Sequence, residues 1–541
     1  MRLTRRDLVI LGGTVIGAAA VTPSLVRAQQ PRRGGTVTLR LWDPPHFDPH
    51  LTVAYKTVAL SSFVYSRLVR HKAGAAITPG TFTLEGDLAE SWAQPSDTTY
   101  VFKLRRNARW HPKPPVNGRE VTAEDVVYSI ERFRTVKGNP NVDMLETVDK
   151  VEAVDRHTVR FTLKQRFAWF VDMLAMPGYV PIVARECVDK FGDLKKPEAT
   201  VGTGPWMLDS YRPNVGATFV RNPGYFITGL PYIDRIEAVV DEDNASRLAS
   251  FLSGKYDLGW ETPGTINRTD WLQIKDVLKQ RRPSLRTLEF PGSVMTHVAM
   301  RSDMRPFSDV RVRQAIALAI DRKGLIDSVL EGEGALNGPL RAFLRDWALP
   351  IDKLGEGAKY YQHNPAEARR LLAAAGYANG FPTSVCFTTY GSTLLIDTMQ
   401  LVLKQLKDVG IDAKLDQKEY GAYVATCVIG KFDAMLLGPY TTFLEPHSEL
   451  YAKYHPDQPK NQGHINDPVV NDLMHRQART FDLAKRRELI HDIQRHLAKQ
   501  QYYVELPSDR TIGVWDGVLK NYAPNYGNDY GGRLQVAWLE R

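Results

Sequence analysis

Thirteen histidines, three cysteines and 61 acidic residues are the groups in this 541-residue chain with the means to do chemistry, so their spacing comes first. His491 and His496 share a predicted helix but stand five apart, so they do not stack on one face as metal ligands at i and i+4 would. His447, His455 and His464 fall in a stretch rich in proline and polar residues, which reads as loop and not as a metal site. Gly202-Thr203-Gly204-Pro205 is too short and wrongly continued for a phosphate loop. No G-x-S-x-G, no H-E-x-x-H and no S-x-x-K with its partners occurs. Any two carboxylates could be imagined as an acid–base pair, so their abundance says nothing. Cys187, Cys386 and Cys427 avoid C-x-x-C spacing and read as small buried residues, though Cys386 and Cys427 could pair. With a tenth of its residues aromatic and no reactive centre, the chain reads as a binder, not an enzyme, with no metal and no cofactor expected.

The elements that would position a ligand alternate along the chain. Val37/Leu39/Leu41, Tyr100/Phe102/Leu104, Val159/Phe161/Leu163 and Ile411/Ala413/Leu415 keep the period of two that half-buries a strand. Asn364-Pro365-Ala366-Glu367 opens a helix with an N-cap, a first-position proline and a capping glutamate; Leu371, Leu372 and Ala375 face inward and Gly376 closes it. Leu395, Met399, Val402 and Leu406 stripe another helix, which Gly410 ends. Ser308 is the expected cap of a helix carrying Val312, Ala315, Ile316, Ala319 and Ile320. Thr122 caps one carrying Val126, Val127 and Ile130, and Leu489, Ile490, Ile493 and Leu497 mark a long helix near the end. Helices and strands mixed in this way indicate an α/β protein with several lobes.

Arg5-Arg6 precede a short run rich in Gly and Ala, and Val26-Arg27-Ala28 offers small residues for cleavage. A basic start, a short apolar run and an A-x-A-like end describe a cleaved signal peptide over residues 1–28, and the paired arginines favour the twin-arginine route. The run is short of the about 20 residues that span a bilayer. Losing Arg2, Arg5, Arg6 and Arg27 against Asp7 lowers the formal charge from +9 to about +6 and leaves roughly 510 residues, enough for two to four domains. Arg281-Arg282 and Lys485-Arg486-Arg487 read as solvated helix faces, and no basic–aromatic interleaving suggests nucleic acid.

Several stretches then follow one order. They are Leu88-Ala89-Glu90-Ser91-Trp92, Thr99 to Arg105, Arg109-Trp110-His111 and Thr122 to Ser129. Gly202-Thr203-Gly204-Pro205-Trp206 with Arg221-Asn222-Pro223-Gly224-Tyr225-Phe226 comes next, then Gly254-Lys255-Tyr256-Asp257. Phe307 to Arg322 and Asn364 to Tyr377 complete the set. In this succession the chain resembles the family 5 extracellular solute-binding proteins, the dipeptide, oligopeptide and nickel type of ABC importers.

The resemblance implies a bilobal periplasmic-binding-protein fold of type II that closes on ligand by a hinge. Its expected parts are a first lobe from 29–75, 200–285 and 505–541, an extra domain inserted at 76–199, and a second lobe at 286–504. It also implies a monomer in the periplasm, exported and soluble, that hands a small-molecule or peptide ligand to membrane permease and ATPase subunits. A ligand-sensing partner of a membrane receptor and an exported hydrolase are the alternatives. By family position, ligand contacts come from Trp42-Asp43 and Val53-Ala54-Tyr55, from the region of Asn141 and Met144, from Trp260-Glu261, and from Gly438 to Pro446 with Tyr440, Thr442 and Glu445. Tyr526 in the aromatic tail is the remaining candidate, expected either to edge the cleft or to pack on a sheet. Peptide-binding relatives carry a tryptophan and an aspartate where this chain, aligned on Glu445-Pro446, has Pro439 and Thr442. A threonine supplies no counter-charge for a buried ammonium. Either Glu445, Glu261 or Asp43 takes that role, or the ligand lacks a free amino terminus; the second reading points to a sugar, an opine-like or amidated compound, or a small organic acid.

Overall fold

Alternation along Val37, Leu39 and Leu41 buries one face of the strand Thr36–Leu41, which lies at the middle of the first sheet. The structure is a computed structural model that describes residues 30–52, 54–178, 180–241, 243–260, 268–389, 392–440 and 443–541. The first sheet has seven strands, in the order Leu285–Pro291, Arg510–Asp516, Leu258–Trp260, Thr36–Leu41, Arg235–Val240, Gly216–Arg221 and Trp206–Arg212. Its three central strands are parallel and its outer ones antiparallel.

A second sheet runs Ile411–Gln417, Phe381–Phe387, Met435–Tyr440, Met295–Met300, Tyr503–Glu505. Successive residues of its strands serve opposite layers. Val298, Val385, Phe387, Met435 and Leu437 pack with the helices Val310–Ala319, Pro365–Ala374 and Thr393–Asp408. Ala299, Cys386 and Leu436 pack with Pro446–Tyr454, Pro468–Ala478 and Leu483–Gln500. The result is a helix–sheet–helix sandwich.

Between residues 76 and 199 a four-stranded antiparallel sheet forms from Ala89–Ser96, Thr99–Leu104, Thr158–Leu163 and Val148–Asp155. The helix Ala123–Thr135 covers it with Val126, Ile130 and Phe133. The Thr122 N–H donates to the Asp125 carboxylate at 2.8 Å, which closes the expected cap.

Local punctuation forms largely as expected. Asn364 Oδ1 accepts from the Glu367 N–H at 3.1 Å and Gly376, at φ +94°, ends that helix. Leu395, Met399, Val402 and Leu406 are buried. Three expectations change. The cap of Val310–Ala319 is Asp309 and not Ser308, because the helix begins one residue later than expected and the Asp309 carboxylate accepts from the Arg311 N–H at 2.8 Å. Leu415 is exposed because its strand is the sheet's edge. His447 lies in a helix, not in a loop, since Glu445 caps Pro446–Tyr454 just ahead of it. Cys386 and Cys427 form a disulfide and Cys187 is a buried free thiol.

The chain passes between the large sheets twice, at 291–295 and at 505–510. The first passage lies beyond the expected boundary at 285/286, because Leu285–Pro291 stays paired with Arg510–Asp516 to its end. The two passages run side by side: the Gly292 N–H donates to Asp509 O at 2.9 Å and the Leu506 N–H to Thr296 O at 3.0 Å. A Cβ on Gly292 would stand 2.2 Å from Asp509 O, so only glycine lets the backbones approach this closely. Among the described residues no helix is long and apolar enough to cross a membrane.

Candidate ligand-binding cleft

In a sheet with parallel strands, crevices open where the loops leave the strands' carboxyl ends. Trp42 and Asp43 leave the end of Thr36–Leu41, with Leu258–Trp260 ending beside it in parallel register. Tyr440 closes Met435–Tyr440, which is parallel to Phe381–Phe387. Trp42, Asp43 and Trp260 thus stand at strand ends of the first sheet and Tyr440 at one of the second, whereas Tyr55 opens a helix, Glu445 caps one, and Asn141 and Tyr526 lie in connecting segments. Glu261, Thr442 and Val53, the side chain of Trp260, and the export residues Arg5, Arg6 and Ala28 lie outside the described residues.

The described ones play different parts. Trp42 is buried and meets Tyr55 edge-on, with ring centroids 4.9 Å apart, while the Arg40 guanidinium lies 4.4 Å from its ring. Tyr55 is 46% exposed and so presents a large amphipathic surface to solvent. Asp43 is engaged within its own lobe, accepting from the Tyr211 hydroxyl at 2.7 Å and the Asn214 N–H at 3.2 Å. Asn141 is buried and donates from Nδ2 to Thr52 O at 3.0 Å, fixing the loop before Tyr55. Tyr526 packs on Phe290 and Phe343 and its hydroxyl donates to Pro291 O, so it braces the first passage between lobes. Tyr440 is buried, its hydroxyl donating to Lys460 O at 3.2 Å.

Arg341 was not legible as a site residue, being one basic side chain in a mainly apolar stretch. It is fully buried, ion-paired with Glu449 at 3.0 Å, and donates to Ser293 O at 2.7 Å and Tyr440 O at 3.1 Å. One guanidinium therefore ties the end of the central strand to the passage between lobes.

A separate line of contact joins the inserted domain to the second lobe. The Ala168 N–H donates to Ala478 O at 2.8 Å, Arg479 Nη2 donates to Gln165 Oε1 at 2.8 Å, and Trp169 packs on His447 with centroids 5.1 Å apart. Beside this seam lies a recess of about 260 Å³. Phe82, Trp347, Leu444 and Phe481 supply apolar walls, and Asp172, Glu445 and Arg486 supply charge. Arg486 ion-pairs with Glu445, and both are buried, so the reading of Lys485-Arg486-Arg487 as a solvated face fails at its middle residue. Glu445 also caps its helix, accepting from the N–H groups of His447 at 2.7 Å and Ser448 at 3.2 Å. Burial and the neighbouring Glu445 carboxylate push the Asp172 carboxyl up to about 6, against a smaller opposing effect of Arg486. Burial also holds the His447 imidazole well below its ordinary value, helped by Arg486.

The model of the bacterial extracellular solute-binding proteins, family 5, matches residues 83–461, well over half of the chain. The chain belongs to that family. Heme-binding protein A of Haemophilus influenzae is 30% identical over 361 residues, 63% of this chain and 61% of that protein, under two thirds of each. Di/tripeptide-binding protein 1 of Pseudomonas aeruginosa is 28% identical over 493 residues, 85% of this chain and 86% of that protein. The fold matches the DppA protein of Helicobacter pylori in complex with the peptide STSA, with a TM-score of 0.77 at 24% identity over 94% of this chain and 99% of that one. It also matches AgaA of A. tumefaciens in complex with agropinic acid, with a TM-score of 0.75 at 24% identity over 94% and 99%. This solute-binding protein shares one bilobal shell with proteins that hold chemically different ligands.

Proposed function

We propose that this chain is the periplasmic solute-binding component of an ABC importer. It captures one small organic solute or short peptide between its lobes and delivers it to a membrane permease served by ATPases, as a monomer and without catalysis. The observation that carries this reading is the pair of adjacent passages, bonded through Gly292 and Asp509, between two sheets whose parallel strand ends carry Trp42 and Tyr440. Two short side-by-side passages allow rotation of one lobe on the other with few backbone angles changed. The relatives named above bind heme and di- or tripeptides. Family membership supports an extracellular place of work, and the leader over residues 1–28 would direct twin-arginine export. The moving units in this reading are the first lobe with its insertion at 76–199, and the second lobe between the passages.

The test combines native mass spectrometry of protein purified from its own periplasm with small-angle scattering. A stoichiometric bound mass, and a smaller radius of gyration with ligand than after its removal, are the expected results. Turnover of the bound compound on incubation, or an unchanged radius with ligand bound, would overturn capture by closure. Replacing Arg5-Arg6 by lysines should block export; continued processing after Ala28 would remove the twin-arginine route.

A further inference from the structure

The acids that sequence offered as counter-charges for an ammonium are spent elsewhere where they are described. Asp43 accepts from Tyr211 and Asn214, and Glu445 is shared among two helix N–H groups and Arg486. Asp172 is different. It sits in the helix Phe170–Ala175 of the inserted domain, half-buried, and lines the recess opposite Leu444, Glu445 and Arg486 of the second lobe. Among the described residues no arginine, lysine or histidine forms a salt bridge with it. Arg486 is already paired with Glu445, which leaves Asp172 as the lining charge without an ion pair, inside walls made by Phe82, Trp347, Leu444 and Phe481; Arg487 lies over the Trp347 ring and Arg166 over the Phe481 ring.

We propose that Asp172 is the anchoring carboxylate of a subsite for a cationic group, an ammonium or guanidinium borne by a small solute or by one end of a longer one. The proposal rests on the solute-capture reading above. The volume of about 260 Å³ lies just under the roughly 300–1,000 Å³ of small-ligand clefts, which suits a compact ligand or a single terminal residue. A cation entering there exchanges water for a carboxylate in a poorly solvated site, where the pair attracts more strongly than in bulk water. The subsite is shared between bodies: Ala168 and Asp172 come from the inserted domain, and Leu344, Trp347, Leu444 and Arg486 from the second lobe. A ligand bridging them would reinforce the seam that Ala168 and Ala478 make, so charge recognition and lobe contact are one event. This puts the counter-charge on the inserted domain and admits a ligand with a free amine, against the expectation from Thr442.

The test is calorimetric titration of the ligand-stripped full protein with matched probes at pH 7.5. The probes are putrescine, agmatine, 3-phenylpropylamine, Ala-Phe dipeptide, its N-acetyl form and 3-phenylpropanol. At least one cationic probe should bind, its neutral partner should bind at least tenfold more weakly, and Asp172→Asn should reduce the preference to about threefold or less. Asp172→Glu should retain part of it. Asn removes a poorly solvated carboxylate, so the variant should melt no lower than the wild type, which separates loss of binding from loss of fold. Absence of binding by every cationic probe, equal binding of neutral partners, or an unchanged preference in Asp172→Asn would each overturn the assignment. The solute-capture reading fails separately: it falls on turnover of the natural bound compound, or on an unchanged radius with that compound bound, and neither result depends on Asp172.

Discussion

Arg486 and Glu445 meet as an ion pair 41 residues apart in sequence, their side chains only 5% and 7% exposed. Gln477 holds the same guanidinium, accepting from Arg486 Nε at 3.1 Å, so three helices of the second lobe converge on one charge. A pair so placed adds little net stability but is costly to halve. Arg486→Met should destabilise the protein by about 3–5 kcal/mol, because it leaves Glu445 buried and uncompensated. Arg486→Met with Glu445→Gln should lose clearly less, since glutamine is neutral and can still accept from the helix N–H groups. Thermal and chemical denaturation of the three proteins check this, and a double variant as weak as the single one would refute it.

The Asp172 carboxyl titrates near 6 in the folded protein against an ordinary value of 3.8. The folded state thus holds this proton more tightly than the unfolded chain. Its contribution is fully present below about pH 4 and is lost as pH rises through about 6. Asp172→Asn should therefore melt higher than the wild type at pH 7.5, with the difference shrinking towards pH 4. Melting curves across that window decide it; a difference that grows on acidification would reverse the sign.

Asp467 should show the opposite behaviour. It accepts from His496 Nε2 and the Tyr502 hydroxyl at 2.7 and 2.9 Å, and these partners outweigh the opposing effect of burial and bring its carboxyl down to about 2. Its contribution is present above about pH 4 and lost as pH falls towards 2. Asp467→Asn should cost stability at pH 7 and progressively less below pH 4, as followed by urea unfolding.

The Cys386–Cys427 disulfide closes a sequence separation of 41 between a strand and a short helix of the second lobe. Replacing both by alanine should cost about 2–5 kcal/mol. Cys187 should resist thiol reagents in the native protein, because burial removes access and raises its thiol to about 11. Thiol titration before and after denaturation, in the presence and absence of reductant, reads both.

Gly292→Ala pushes a methyl group against Asp509 O and should cost about 1–3 kcal/mol while forcing the two passages apart. Gly224→Ala is the control: its Cβ would meet nothing nearer than Asn222 Oδ1 at 3.6 Å, so it should change stability by less than about 0.5 kcal/mol. Scattering of the stripped and loaded proteins would show whether the Gly292 variant also closes less completely.

What the sequence determined by itself is what neighbours along the chain settle. The Asn364 cap, the Thr122–Asp125 pair, the buried alternation of Tyr100, Phe102 and Leu104, and the stripe from Leu395 to Leu406 each depend on residues within a turn or a strand of one another. Ordered motifs of that kind were enough to reach the family and its bilobal shell. The fate of a charge was not decided there. Arg486 has the composition of a solvated helix face, yet a cap 41 residues upstream makes it part of the interior. Cys386 found Cys427, and Arg341 found Ser293 and Tyr440, only when distant segments of the second lobe packed together, and Asp172 came to face Glu445 only when the inserted domain met that lobe. Secondary structure follows from short-range sterics and hydrogen bonding, which a sequence carries in its spacing. Solvation and charge pairing depend on which distant surfaces exclude water from a group, and that is settled by the tertiary structure.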